Sequence, residues 1–180
     1  MSVNYSEYLK LEELLVLQSP KSEPEEHDEM LFIVIHQVYE LWFKQILHEL
    51  DKVKRDFSAN DLYGAIATFK RVRTILKTLV GQLDILETMT PMSFSAFRDR
   101  LDTASGFQST QFREFEFLLG YKRAEVMRFL EDSWPGTPRV KRRLAEPSVV
   151  DHFYDFLEAR GCAVPDELRS KEVTSATVAN

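Results

Sequence analysis

Four histidines, His27, His36, His48 and His152, are the side chains best suited to proton exchange or metal ligation near neutral pH. His36 is the unusual one. It sits inside the apolar run LFIVIHQVYELWF, one helical turn after Phe32 and on the same face. A histidine so placed is ordinarily a hydrogen-bonded core residue; the other role is an imidazole presented to a pocket lined by apolar groups. His36 and His48 do not have the i, i+4 spacing of a helical metal pair, and the four histidines do not group at ligand spacing, so no chelated metal is expected. His27, near a helix start, and His152, within a helix, are expected to be exposed.

Arg98 is the second candidate, following Phe94 at i+4 with Phe97 and Leu101 alongside. A guanidinium fork matches a carboxylate in bidentate fashion; the alternative is a surface arginine whose stem covers apolar area. Ser105-Gly106 either exposes backbone amides to a ligand, since glycine permits close approach, or forms a plain loop. Tyr5 and Tyr8 near the N-terminus are amphipathic and suit the cap of a pocket or a subunit contact. There is no phosphate-binding glycine loop, nucleophile elbow or zinc signature.

These residues need helices to position them. Six glycines and seven prolines in 180 residues is about 7%, against an average near 12%, so turns are scarce and long helices should dominate. A 44% hydrophobic content is that of a globular chain with one ordinary core. The net charge of −6 argues against capture of nucleic acid or an anionic membrane. The single Cys162 excludes an intrachain disulfide, a cysteine-based zinc cluster and an iron–sulfur site. MSVNYSEYLKLEELL lacks the features of a signal peptide. The longest purely apolar run, Met30 to Ile35, is far short of the roughly 20 residues that span a bilayer. A cytoplasmic protein is expected.

Along the chain, an arm to Gln18 precedes the acidic loop SPKSEPEEHDE. The spacing of Leu31, Ile35, Val38, Leu41, Trp42, Ile46 and Leu50 predicts a helix over roughly 28–57. Leu62, Ile66, Phe69, Val72, Leu76, Leu79 and Leu83 predict a second over 61–86, with Lys70, Arg71, Arg73 and Lys77 on a solvated face. A connection this short makes the two antiparallel neighbours. Thr90-Pro91 predicts a capped short helix over 91–101. Further helices are predicted from Ser109 to a stop at Gly120, over 122–132, and from Ser148 to a stop at Gly161, with WPGTP as a turn, a short basic segment 139–145 after it, and the tail KEVTSATVAN weakly patterned. The class is all-α, a helical bundle of long antiparallel helices. The expected division is an arm and acidic loop (1–27), a helical core with the substrate pocket (28–133) and a C-terminal extension (134–180).

The strings HDEMLFIVIHQVYELWFKQILHEL, LETMTP, FRDRL and ASGFQSTQFREFEFLLGYK resemble the tryptophan 2,3-dioxygenase family. The likeness is collinear from Tyr5 to about Lys122 and continues through PSVVDHFYDFLEARG. It implies an all-helical homotetramer that uses haem b and inserts both atoms of O2 across the indole C2–C3 bond of L-tryptophan. The product would be N-formylkynurenine, in the first step of the kynurenine pathway. By the same resemblance His36 is the distal histidine that accepts a hydrogen bond from the indole N–H, and Phe32 packs on the indole. Arg98 binds the substrate carboxylate, with Phe94 where relatives carry Tyr or Phe. Ser105-Gly106 lies over the haem, and Tyr5, Tyr8 and Leu9 reach into a neighbouring subunit's pocket. The family's proximal haem-ligating histidine and its GTGG loop have no counterpart in these 180 residues, so no iron ligand is assigned and the chain reads as the N-terminal part of such an enzyme. Two alternatives stand beside this: a haem-less relative that keeps fold and oligomer contacts, and a haem hydroxylase of the superfamily acting on another aromatic amino acid.

Overall fold

A computed structural model describes residues 3–169; the tail KEVTSATVAN lies outside them. Among the described residues there are ten α-helices, three short 3-10 turns and no strand. The helices are α1 (Tyr5–Leu9), α2 (Leu11–Leu14), α3 (His27–Ser58), α4 (Leu62–Gly81), α5 (Leu83–Leu86), α6 (Pro91–Arg98), α7 (Thr110–Leu118), α8 (Thr137–Ala145), α9 (Val149–Ala159) and α10 (Asp166–Arg169). None is long and apolar enough to cross a membrane. The described chain forms two compact units, residues 3–39 with 80–104 and residues 40–79 with 105–169.

In the first unit the acidic loop is closed by the helix that follows it. Glu29, in the first turn of α3, is fully buried. Its carboxylate accepts from the Lys21 N–H at 2.7 Å, the Ser22 N–H at 3.0 Å and the Ser22 hydroxyl at 2.5 Å. Burial alone would raise its pKa, but these donors hold it below the ordinary value. The Thr90 hydroxyl accepts from the Ser93 N–H at 3.1 Å and Pro91 opens α6, the cap and first-turn proline that the sequence signals. α6 ends at Arg98 and tightens into a 3-10 turn over Asp99–Leu101.

In the second unit the later part of α3 and α4 meet as antiparallel neighbours across the turn 59–61. Near the turn Phe57 and Phe69 are 6.2 Å apart by ring centroid; farther from it Arg71 donates to both oxygens of Glu49 at 2.9 Å. Ile46, Leu50 and Val53 are completely buried, each worth about 1.5–3 kcal/mol of apolar transfer. The expected stripes need correction. Leu41 is 50% exposed. α4 buries Val72 and Leu79 of the predicted stripe together with Ala65, Thr68 and Ile75, and leaves Ile66 exposed; Leu83, beyond the helix, is exposed as well. Both rows of α4 are apolar, so packing decides which one faces inward. The helix also breaks after Gly81 instead of running to residue 86.

α7 and α8 pack around Phe117, Val126, Leu130 and Val140, with Trp134 against them. Gly136 is required here, because a Cβ at that position would collide with Thr110. The predicted helix over 122–132 is instead a 3-10 segment, Ala124–Phe129, with no side-chain cap; so short a piece makes two tight turns while sealing the cluster with Val126 and Leu130. α8 begins at Thr137, inside the expected WPGTP turn, with Pro138 in its first turn. Gly120 and Gly161 have φ of 94° and 80°, the left-handed conformation that ends a helix. α8 is tied to α3 by Arg143, whose guanidinium donates to the two oxygens of Asp51 at 2.7 and 2.6 Å and to Glu146 at 2.6 Å. Burial alone would lower the Arg143 pKa, but the two carboxylates raise it; burial alone would raise the Glu146 pKa, but Arg143 and Lys54 lower it.

Candidate functional site

The first unit brings three of the expected side chains together. Phe32 and His36 have ring centroids 4.1 Å apart, and the Phe32 ring is 5.7 Å from Phe94 and 5.6 Å from Phe97. Phe97 is the buried base of the group. Its ring meets Phe94 edge-on at 5.5 Å, a favoured aromatic arrangement. His36 is exposed on this surface, not sunk into the core. Its Nδ1 lies 2.7 Å from the Phe32 carbonyl oxygen. A carbonyl only accepts, so Nδ1 carries the proton, and the neutral ring has Nε2 as its acceptor. The cluster therefore offers an aromatic wall and a single acceptor nitrogen, the complement of a flat heterocycle with an N–H.

Arg98 lies one turn beyond Phe94 on α6. It is exposed and donates from one nitrogen to the Asp102 carbonyl at 3.1 Å. Asp102 has φ of 48°, so the chain turns sharply to offer that oxygen. Arg98 makes no ion pair among the described residues, and its other donors remain for a ligand.

The arm is also in this unit. The Asn4 carboxamide caps α1 by accepting from Glu7 N–H at 2.9 Å, and the helix ends at Lys10, φ 55°. Tyr5 and Tyr8 are 75% and 77% exposed, and Leu9 is exposed with them. The root of the arm is pinned by a residue the sequence reading passed over. Gln37 accepts from the Gln18 amide at 2.6 Å and donates to the Leu17 carbonyl at 3.1 Å. An amide directly after His36 in an otherwise apolar run was the available signal.

Ser105 and Gly106 belong to the second unit. The Ser105 N–H is taken by the Gln108 side chain at 3.1 Å, and the Ser105 hydroxyl accepts from the Phe107 N–H at 3.3 Å. The Ser105 amide is thus not free for a ligand, contrary to one expectation. Gly106 has open space where a Cβ would stand. Together with Phe107, Arg113, Glu116 and Arg123 these residues line a cavity of about 360 Å3. The charged residues of this cavity were not singled out from sequence.

Of the remaining histidines, His27 and His48 are exposed. His152 is not: it is half-buried with Nδ1 3.2 Å from the Ser58 hydroxyl, because α9 packs against the end of α3. Burial, then the Lys54 charge, lower its pKa. No group of three or more metal-ligating side chains occurs among the described residues.

These features define a class: an all-helical protein in which one exposed histidine, backed by phenylalanines, stands with a carboxylate-binding type of arginine on a neighbouring helix. The model of the tryptophan 2,3-dioxygenase family matches residues 1–139. The tryptophan 2,3-dioxygenase of Herpetosiphon aurantiacus is 52% identical over 179 residues, 99% of this chain and 68% of that protein. The enzyme of Anaeromyxobacter sp. (strain K) is 49% identical over 164 residues, 91% of this chain and 61% of that protein. That of Xanthomonas campestris is 38% identical over 178 residues, 99% of this chain and 60% of that protein. The chain belongs to the tryptophan 2,3-dioxygenase family, and spans three fifths to two thirds of the length of these relatives.

Proposed function

We propose that this chain carries the indole-recognising part of a haem-dependent tryptophan 2,3-dioxygenase, a cytoplasmic homotetramer that converts L-tryptophan and O2 into N-formylkynurenine at the start of tryptophan degradation. The carrying observation is the Phe32–His36–Phe94 cluster in a chain of this family. In this reading residues 28–133 are the core with the substrate pocket, 1–27 the arm and 134–180 an extension.

Each residue then has a task. Phe32 and Phe94 stack on the indole and exclude water. His36 Nε2 accepts the indole N–H, its ring held by the Nδ1 bond to the Phe32 carbonyl. Arg98 pairs with the substrate carboxylate, which would otherwise be costly to desolvate. Tyr5, Tyr8 and Leu9 cover a neighbouring copy's pocket.

The residues fit the face of a haem. Gly106 leaves open space, and Phe107, 67% exposed, offers an apolar surface beside it. Ser105, Gly106 and Phe107 would lie against the macrocycle; no axial ligand is assigned to this chain. Haem, when bound, supplies the iron at which O2 is activated, and the protein supplies orientation and electrostatics.

The test is the haem-loaded protein given L-tryptophan under isotopically labelled O2. N-formylkynurenine carrying two labelled oxygens is the expected product. A singly labelled hydroxylated amino acid would move the chain to the hydroxylase class, and no product from haem-loaded protein would make it a non-catalytic relative.

A further inference from the structure

The arm is fastened at its root by polar bonds. No residue of α1 or α2 is buried. Leu15, Val16 and Leu17 are between 61% and 72% exposed, so apolar packing does not hold the segment that follows either. A pair of carboxamides ties it down. Gln18 donates from Nε2 to the Leu14 carbonyl at 3.2 Å and to Gln37 Oε1 at 2.6 Å, and Gln37 donates from its own Nε2 to the Leu17 carbonyl at 3.1 Å. Backbone carbonyls only accept, so both amides are fixed in orientation. The end of α2 is thereby bonded to α3 at the residue next to His36.

A second anchor lies about two turns earlier on α3. Glu29 takes the Lys21 and Ser22 N–H groups. Leu17 is thus held beside residue 37 and Lys21 beside residue 29, roughly 12 Å apart along the helix. The connection between them runs antiparallel to α3 and releases the arm at the turn that carries His36, not at the start of the helix. Neither amide belongs to the core, since Gln18 and Gln37 are only half-buried. Bonds that aim a segment with nothing buried have a use where its apolar side chains are covered by something else, and Tyr5, Tyr8 and Leu9 are all exposed.

We propose that Gln37 is a positioning residue for L-tryptophan binding: it aims the arm from the His36 turn of α3, so that Tyr5, Tyr8 and Leu9 arrive already oriented at a neighbouring copy's pocket. This rests on the proposed function, in which the arm covers that pocket. Gln37 acts through the arm, and on the neighbour's pocket instead of its own. Without it the arm stays attached but samples many directions, and ordering it then weakens substrate binding.

Gln37→Met keeps the length of the side chain and removes the amide; Gln18→Met removes its partner. Both should fold, which circular dichroism checks. Hydrogen exchange of the full chain should show the amides of residues 5–17 exchanging about tenfold faster in either variant, the scale of one or two neutral hydrogen bonds. Residues 42–58 and the nitrogen-15 shifts of His36 should stay as in wild type. In the haem-loaded enzyme the Kd for L-tryptophan should rise about threefold or more.

A hybrid separates the arm from the histidine. Copies carrying Gln37→Met are co-assembled with copies carrying Arg98→Ala, whose pockets lack the carboxylate partner but whose arms are intact. The Gln37→Met pockets that receive such an arm should bind L-tryptophan with wild-type affinity. Unchanged arm exchange in Gln37→Met, unchanged L-tryptophan affinity, or a weakened affinity that the hybrid does not restore overturns the proposal. Faster arm exchange in a protein that binds no L-tryptophan overturns the proposed function and leaves Gln37 standing as the arm's anchor. Affinity that follows the arm in a protein that makes no N-formylkynurenine supports the proposal and overturns only the reaction.

Discussion

The Nδ1 of His36 lies 2.7 Å from the carbonyl oxygen of Phe32, on the same residue whose ring packs 4.1 Å from the imidazole. One residue thus fixes both the tilt and the tautomer of the histidine. Nitrogen-15 NMR of the neutral imidazole should show the proton on Nδ1; a proton on Nε2 would remove the acceptor on which the proposed indole recognition depends. His36→Ala removes one neutral hydrogen bond, so L-tryptophan binding should weaken by about 0.5–1.5 kcal/mol. Turnover should slow without stopping, since no obligatory proton transfer is assigned to His36. Complete loss of turnover with normal haem and substrate binding would show a larger role.

Arg98 already donates to the Asp102 carbonyl, which aims its fork. A lysine cannot reproduce that planar geometry. In the haem-loaded enzyme Arg98→Lys should weaken L-tryptophan binding by about 1.5–3 kcal/mol, the scale of a hydrogen bond to a charged group. Calorimetric titration measures it, and unchanged affinity would remove Arg98 from the carboxylate.

Glu29 gives the fold a dependence on acid. Its pKa is lowered on folding from an ordinary value of 4.5 because the Ser22 and Lys21 donors outweigh burial. A depressed folded pKa means the carboxylate contributes fully above the ordinary value, and that contribution is lost as pH falls through the folded pKa. Glu29→Gln should cost about 1–3 kcal/mol in denaturant unfolding at neutral pH. The difference from wild type should shrink on the acid side of the carboxylate range; a gap that widens there would contradict the assignment.

Arg143 joins α8 to α3 through Asp51 and also faces Glu114 at 3.5 Å. Arg143→Met would leave Asp51, Glu146 and Glu114 without that guanidinium. Removing one partner of a buried ion pair costs about 3–5 kcal/mol, so urea unfolding should shift by an amount of that size. A loss below about 1 kcal/mol would place the pair with ordinary surface salt bridges.

The local signals were plain in the chain. Phe32 and His36 share a face by spacing alone, Thr90-Pro91 starts a helix, and Gly120 and Gly161 stop two others because only a residue without a side chain adopts their φ cheaply. Family strings carried the same residues to a function. His152 was misjudged because its burial comes from α9 meeting the end of α3, far away in sequence. The ion pairs of Arg143 with Asp51 and of Arg139 with Glu114 were equally invisible, since charged partners so distant in sequence leave no periodic trace.

By itself, then, the sequence determined the helical class, the cap of α6, the starts and stops of α7 and α9, and the pairing of Phe32 with His36, all consequences of interactions within a turn or two. Tertiary structure decided which of two apolar rows on α4 is buried, that 124–129 becomes a 3-10 plug, and that Arg113 and Arg123 converge on Glu116. The reason is physical. Local hydrogen bonds are set by neighbours in the chain, whereas burial and charge balance depend on what the fold brings alongside.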